Sequence, residues 1–279
     1  MSIYEPVSRR TWLGGLMAMA MLARATAAQA APFSSRRIMV TVRGSGPDVL
    51  LIPGLASGPG VWNGVVAALP GYRYHLVQLR GFAGLAPDLN ASGPLVAPVA
   101  DEIARYIRDT GLKRPAAVGH SMGATLAMML GLRGAAGRVM AVDMLPAGAG
   151  MVGGTASGVG YLADQLSQYF TGTKAGRAYL AQIVGQAPGA KGSDPDVIAN
   201  ALRDMANIDL GPQLARMTVP LSVVYAVGAD GAQAAEIGRR FRAAYAGKKD
   251  AALTAIGPSG HMVMSEQAAR FNAALREFL

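Results

Sequence analysis

The 279-residue chain contains no cysteine, and only 15% of its residues are charged. The missing cysteines exclude disulfides, thiolate metal sites and a cysteine nucleophile. Because 51% of the residues are hydrophobic, the chain is too apolar for an intrinsically disordered protein, which combines low hydrophobicity with high net charge. Its length corresponds to one large domain or two small ones.

Acidic residues are also few, since 17 Asp and Glu stand against 26 Lys and Arg, a formal net charge of +9. Such an excess would suit a nucleic-acid partner if it were concentrated on one surface. The basic residues are instead scattered, and the densest group is Arg239, Arg240 and Arg242. No basic run interleaved with aromatic residues occurs, so we expect no nucleic-acid binding.

The N-terminal thirty residues have the pattern of an export signal. Arg9 and Arg10 precede an apolar run over residues 12–23, and the small residues Ala28 and Ala30 follow. A charged start, a short apolar run and an A-x-A site are typical of a secretory signal. The run is shorter than the ~20 residues that span a bilayer, so no stable membrane span is expected.

The paired arginines further indicate a twin-arginine signal, with an ordinary secretory signal as the alternative. We therefore predict a signal peptide over residues 1–30 that engages the export machinery, and a periplasmic or secreted protein over residues 31–279.

After residue 30, short apolar runs alternate with segments of helical spacing. Val49–Ile52 has the continuous apolar pattern of a strand buried on both faces. In the last helix, predicted over Ser265–Leu279, an apolar stripe faces the core. The alternation predicts an α/β fold with a largely parallel sheet. The predicted strands cover residues 38–42, 49–52, 74–79, 116–119, 139–144, 219–227 and 251–256.

Residues 145–218 interrupt this alternation with a long insertion that has no convincing strand. Its helix-compatible segments lie near Tyr161–Tyr169 and Val197–Met205. A connection of this length inside a compact domain is usually functional.

The catalytic nucleophile is predicted in the segment Gly119-His120-Ser121-Met122-Gly123, which matches the G-x-S-x-G turn between a strand and a helix. This turn exposes a serine hydroxyl at a helix N-terminus, so Ser121 is the predicted nucleophile. The oxyanion of an acyl intermediate needs two backbone N–H donors. We predict Met122, directly after Ser121, and Leu55, in the Gly-rich loop after the strand at Val49.

A serine nucleophile needs a base and a carboxylate that orients the base. His261 lies in a loop between the final strand and the final helix and is the predicted base. His120 and His75 are interpreted as structural, the His120 side chain pointing away from the Ser121 hydroxyl. Asp230 follows the strand that precedes the histidine's strand and is the preferred acid. Asp143, at the end of an earlier strand, is the second choice.

The chain is similar to the α/β-hydrolase superfamily over essentially all of residues 31–279. Ile52-Pro53-Gly54, Gly119–Gly123, Gly228–Asp230 and Gly260-His261 match the superfamily's landmarks in order and spacing. The resemblance implies an α/β-hydrolase fold with a mostly parallel eight-stranded sheet and a helical cap formed by residues 145–218. It also implies hydrolysis through an acyl-enzyme.

The expected reaction is cleavage of a carboxylic ester of a small, apolar molecule, without a metal or an organic cofactor. Serine at position 121 argues against the dehalogenase and epoxide-hydrolase branches, which use a carboxylate nucleophile. A C–C bond, lactone or amide hydrolase and an acyltransferase would use the same residues and stay open. A non-catalytic periplasmic binding protein is the alternative outside the enzymes.

Overall fold

The computed structural model describes residues 33–148, 172–184, 186 and 189–279. The predicted signal peptide and the predicted helix at Tyr161–Tyr169 lie outside these residues. Within the described ranges, no helix is both long enough and apolar enough to cross a bilayer.

A single sheet forms the centre of the described domain. Its seven strands follow the order β1-β3-β2-β4-β5-β6-β7, with β1 antiparallel to β3 and every other neighbouring pair parallel. The bounds are Ile38–Gly44 for β1, Asp48–Ile52 for β2, Arg73–Leu79 for β3, Ala116–His120 for β4, Arg138–Val142 for β5, Leu221–Ala226 for β6 and Ala252–Ile256 for β7. The seven apolar runs of the sequence therefore form strands. The described residues contain one strand fewer than the eight that the family resemblance implies.

Helices cover both faces of this sheet. Along β2, Leu50 and Ile52 belong to the apolar cluster on one face, whereas Val49 and Leu51 belong to the cluster on the other. Both sets are buried because side chains alternate across a strand, which explains the continuous apolar run. The helices are α1 (Asn63–Ala68), α2 (Val96–Asp109), α3 (Met122–Leu132), α4 (Lys174–Val184), α5 (Pro195–Asn207), α6 (Gly231–Ala244), α7 (Val263–Glu266) and α8 (Ala268–Phe278).

The helix predicted over Ser265–Leu279 is divided at Gln267, whose backbone is not helical, and its longer part, α8, packs as the apolar spacing predicts. Phe271 and Leu275 of α8 are fully buried, and Phe278 is half-buried against the same cluster. Trp62, just before α1, is in this cluster as well. Helices α1 and α8 thus lie on one face of the sheet, and α2 and α3 contribute to the cluster on the opposite face.

The described part of the insertion contains two helices, α4 and α5. The predicted helix over Val197–Met205 is confirmed by α5, whose N-terminus is capped by the Asp194 carboxylate. The Ser193 hydroxyl donates to the Ala56 carbonyl (2.7 Å), in the loop after β2. The Asp204 carboxylate accepts from the backbone N–H groups at the start of α2. The insertion is therefore attached to the loop that carries the predicted oxyanion residue.

Candidate functional site

Ser121 occupies a sharp turn between β4 and α3. Its backbone has φ 53° and ψ −125°, a conformation that L-residues rarely adopt and that folds retain mainly at functional sites. Its N–H donates to the carbonyl of Val142 in the neighbouring strand (2.9 Å). A Cβ at Gly119 would overlap the carbonyl of Gly123, and one at Gly123 would overlap the carbonyl of Ile52. The turn therefore requires both glycines of the motif.

The two predicted oxyanion residues lie on either side of this turn. Met122 is the first residue of α3, where the backbone N–H groups have no acceptor within the helix and the helix dipole is positive. Across from it, a Cβ at Gly54 would lie 3.1 Å from the Ser121 Cβ. The backbone that leads into Leu55 thus lies directly against the Ser121 turn.

Replacing Gly54 by alanine tests this close approach. The added methyl would press on Ser121 and on the His120 ring, so the loop and the Leu55 N–H would be displaced. We expect kcat to fall roughly 100-fold, the scale of losing one oxyanion donor. The matched control is Gly64→Ala in α1, where an added Cβ meets nothing within 4 Å. Equal activity of the two variants would contradict a role for this loop.

His261 is paired with Asp143. The Nδ1 atom of His261 lies 2.6 Å from Oδ2 of Asp143. Asp143 follows β5 with a positive φ of 50°, and its Oδ1 accepts the backbone N–H of Ala226 (2.9 Å). Its own N–H donates to the Val224 carbonyl (2.7 Å). Strand β6 therefore holds the carboxylate in place, and the positive φ directs it towards the histidine loop.

The preference for Asp230 over Asp143 is corrected by this geometry. Asp230 is the N-cap of α6, and its carboxylate accepts the backbone N–H of Gln233 (2.7 Å). Asp and Asn side chains are strong N-caps because they satisfy N–H groups that the helix leaves free. Both aspartates follow a strand and precede His261 in the chain, so sequence order alone does not separate them.

Two further side chains hold the His261 loop. The Glu266 carboxylate accepts the N–H of Gly260 (2.5 Å) and the N–H of Met262 (3.1 Å), on either side of the histidine. The His120 Nε2 lies 2.9 Å from the His261 carbonyl oxygen, and the two rings are 4.5 Å apart. Sequence reasoning missed both contacts. Nothing in the pattern around Glu266 or His120 indicated them.

Burial lowers the pKa of His120 to about 4, and the nearby His261 adds to the shift. Since the unfolded chain protonates near pH 6.5, the folded state excludes this proton between pH 6.5 and 4. The stability from a neutral His120 is therefore present above pH 6.5 and is lost as the pH falls towards 4. The loss should amount to ~3 kcal/mol.

Urea unfolding at pH 7, 5.5 and 4.5 measures this effect. We expect the free energy of unfolding of His120→Gln to fall less steeply with acid than that of the unchanged protein. His75 is a second buried histidine whose pKa is lowered, chiefly by burial, but it is present in both proteins. Parallel pH curves for the two proteins would show that His120 does not cause the acid sensitivity.

His75 is a satisfied core residue, as predicted. Its Nδ1 lies 2.6 Å from the Tyr106 hydroxyl and its Nε2 lies 2.9 Å from the Asp48 carboxylate. His75 is the third of the seven residues of β3, and its partner Asp48 is the first residue of β2. The Ser121 turn follows the other end of the parallel strands, so the structure does not bring His75 to the site.

A cavity of about 380 Å³ opens beside the Asp143–His261 pair. Its apolar walls include Leu145 and Phe241, and its polar walls include Gln233. This volume is near the lower end of the range for small-molecule sites. The described residues contain no cluster of His, Cys, Asp and Glu that could hold a metal ion.

The family of the chain follows from comparison with known proteins. The protein-family model described as "Alpha/beta hydrolase family" matches residues 49–274, well over half of the chain. The chain belongs to this family. The match includes every predicted site residue, from Leu55 to His261.

Individual relatives are more distant. A pimeloyl-acyl-carrier protein methyl ester esterase of Aeromonas hydrophila is 36% identical over 92 residues, which cover 32% of this chain and 34% of that protein. The chain spans only a quarter to a third of the length of the curated relatives it matches.

Solved structures show the same fold at low identity. An enol-lactonase of Burkholderia xenovorans has a TM-score of 0.61 and 19% identity, covering 86% of this chain and 95% of that chain. A structure reported for carboxylesterases of the Thaumarchaeon Nitrososphaera gargenis has a TM-score of 0.67 and 13% identity, covering 86% and 93%.

Proposed function

We propose that this α/β hydrolase is a serine esterase that cleaves small carboxylic esters through an acyl-enzyme on Ser121. One observation carries the proposal. His261 is paired with Asp143, which follows β5, and its own loop is hydrogen-bonded through the His261 carbonyl to His120, the residue adjacent to Ser121. These contacts support His261 as the base and the buried Asp143 as its carboxylate, acting on the half-buried Ser121 of the strained turn.

In the proposed mechanism, His261 accepts the Ser121 proton as the hydroxyl oxygen attacks the ester carbonyl. The Asp143 carboxylate keeps the His261 proton on Nδ1 and stabilises the imidazolium that forms. The N–H groups of Leu55 and Met122 stabilise the oxyanion. Protonated His261 then gives its proton to the departing alcohol, and water hydrolyses the acyl-enzyme by the same steps.

The expectation of a small, apolar ester comes from the sequence, because the cavity beside His261 is lined by Asp143 and His261 but not by Ser121. The test is a panel of p-nitrophenyl esters of increasing acyl length, with matched lactones and amides. We expect the highest kcat/KM on short-chain esters, falling as the chain lengthens. Absence of turnover on every ester, with turnover of a lactone or an amide, would overturn the proposal of an esterase.

An acyltransferase would share the acyl-enzyme and differ in the second step. Product analysis with and without an added alcohol separates the two reactions. Free acid should dominate in both cases for a hydrolase. A dominant new ester in the presence of the alcohol would assign the protein as a transferase.

We also propose that residues 1–30 direct export through the twin-arginine route. The support is the Arg9-Arg10 pair before a short apolar run and an A-x-A site. Replacing both arginines by lysine keeps the charge, and we expect the variant to remain uncleaved in the cytoplasm. Fractionation of expressing cells measures this, and normal secretion of the variant would contradict the twin-arginine assignment.

A further inference from the structure

We propose that His120 is a positioning residue that fixes the His261 loop against the Ser121 turn through its bond to the His261 carbonyl. This inference rests on the proposed serine-hydrolase function. His120 ends β4 and is the residue immediately before Ser121, whereas His261 follows β7. The bond therefore joins the two segments that carry the proposed nucleophile and base.

The protonation of His120 follows from its partner. A carbonyl oxygen only accepts hydrogen bonds, so the Nε2 atom at 2.9 Å from it carries the proton. The Nδ1 atom then holds a lone pair, is buried, and has no hydrogen-bond partner among the described residues. It faces the loop after β2, since a Cβ at Gly54 would lie 3.0 Å from it.

The unpartnered Nδ1 atom lowers the stability of the fold, which is hard to explain if His120 serves only as a core residue. Its side chain is almost completely buried, and a buried polar atom without a partner destabilises a fold. An apolar side chain of similar size would avoid both costs. The ring is therefore explained by the one contact that an apolar side chain cannot make, the donation to the His261 carbonyl.

A neutral ring also suits the proposed reaction. His261 becomes positively charged when it takes the Ser121 proton, and its ring centre lies 4.5 Å from that of His120. A charged neighbour at this distance would oppose that step. Burial keeps His120 neutral, so it holds the loop without opposing the charge on the base.

Glu266 also holds the His261 loop, but its partners lie within six residues of it in the chain. Its bonds to the N–H groups of Gly260 and Met262 shape the loop around His261. They do not connect the loop to β4. Of the contacts made by His120 and Glu266, the His120 bond is the one that joins the loop backbone to β4, whereas the Asp143 bond holds the His261 ring from β5.

Three substitutions separate positioning from packing. His120→Gln places an amide N–H at a reach similar to that of Nε2, His120→Asn has the same group on a shorter side chain, and His120→Leu fills the space without a donor. We expect the Gln variant to stay within about fivefold of the unchanged kcat. The Asn and Leu variants should lose roughly 10- to 100-fold in kcat with little change in KM, because displacement of a base by about 1 Å costs on this scale.

Fluorophosphonate labelling rates should fall by the same factors as kcat. A Gln variant as poor as the Leu variant would assign His120 to packing, and full activity in all three would show that the bond is dispensable. A higher KM at unchanged kcat would indicate a substrate contact instead. Thermal unfolding monitors folding, and if the Leu variant does not fold, the Gln and Asn pair carries the comparison.

Hydrogen exchange separates this proposal from the proposed function. Amides of residues 257–263 should exchange faster in the Asn variant than in the Gln variant, whether or not the protein hydrolyses any ester. If the unchanged protein neither turns over esters nor reacts with fluorophosphonate, the esterase proposal fails. The exchange data still show whether the His120 bond fixes the His261 loop. Equal exchange in the two variants would overturn this role of His120.

Discussion

Replacing Ser121 by alanine should lower kcat on the best p-nitrophenyl ester by roughly 10³–10⁶-fold, the scale of removing a member of a catalytic triad. Without the hydroxyl no acyl-enzyme can form, and only binding and the oxyanion donors remain. Alanine has no group larger than serine, so the strained turn at φ 53° gains no new steric conflict. The folded structure should therefore persist while turnover disappears.

The matched control is Ser222→Ala in β6. Ser222 pairs with Ala252 near the start of the parallel strands, at the end of the sheet opposite the Ser121 turn. Ser222→Ala should keep kcat within about twofold of the unchanged protein, because a substitution away from the site has a small effect. Comparable turnover in the Ser121 and Ser222 variants would exclude a serine mechanism at position 121.

Replacing Asp143 by asparagine is expected to lower kcat about 10⁴-fold, as loss of the orienting carboxylate does in a serine triad. Both carboxylate oxygens accept, one from His261 and one from the Ala226 N–H. An amide has a single oxygen, so one of these donors would face an NH₂ group. His261 would then favour the tautomer with its proton on Nε2, which cannot accept the serine proton.

The same substitution at Asp230 is the control. Asparagine is as good an N-cap as aspartate, so Asp230→Asn should preserve α6 and leave kcat within a few fold. Asp230→Ala should cost about 1 kcal/mol in the free energy of unfolding, measured by urea denaturation, with activity retained. A large loss of kcat at Asp230 with none at Asp143 would reverse the assignment of the acid.

The strands and the Ser121 turn could be predicted because local patterns determine them. Val49–Ile52 is buried on both faces, as its continuous apolar run indicates. The turn needs glycine at positions 119 and 123 for steric reasons, so the motif itself encodes the geometry. The separation of His75 from the site likewise follows from its place near the start of its strand.

The acid and the supporting contacts could not be predicted because they depend on how distant segments meet. Asp143 contacts His261 because it has a positive φ and a hydrogen bond to β6. The residues next to Asp143 in the chain indicate neither feature. Asp230 has the expected order in the chain, yet it begins a helix and its carboxylate caps that helix. The role of His120 depends on a backbone carbonyl 141 residues away.

Peptide mass spectrometry after fluorophosphonate treatment shows whether Ser121 forms the covalent intermediate. We expect one adduct, on the peptide that contains Ser121, formed at a rate that parallels the loss of esterase activity. We expect no adduct in Ser121→Ala and slow labelling in Asp143→Asn. An adduct on another residue, or full inactivation without modification of Ser121, would exclude Ser121 as the nucleophile.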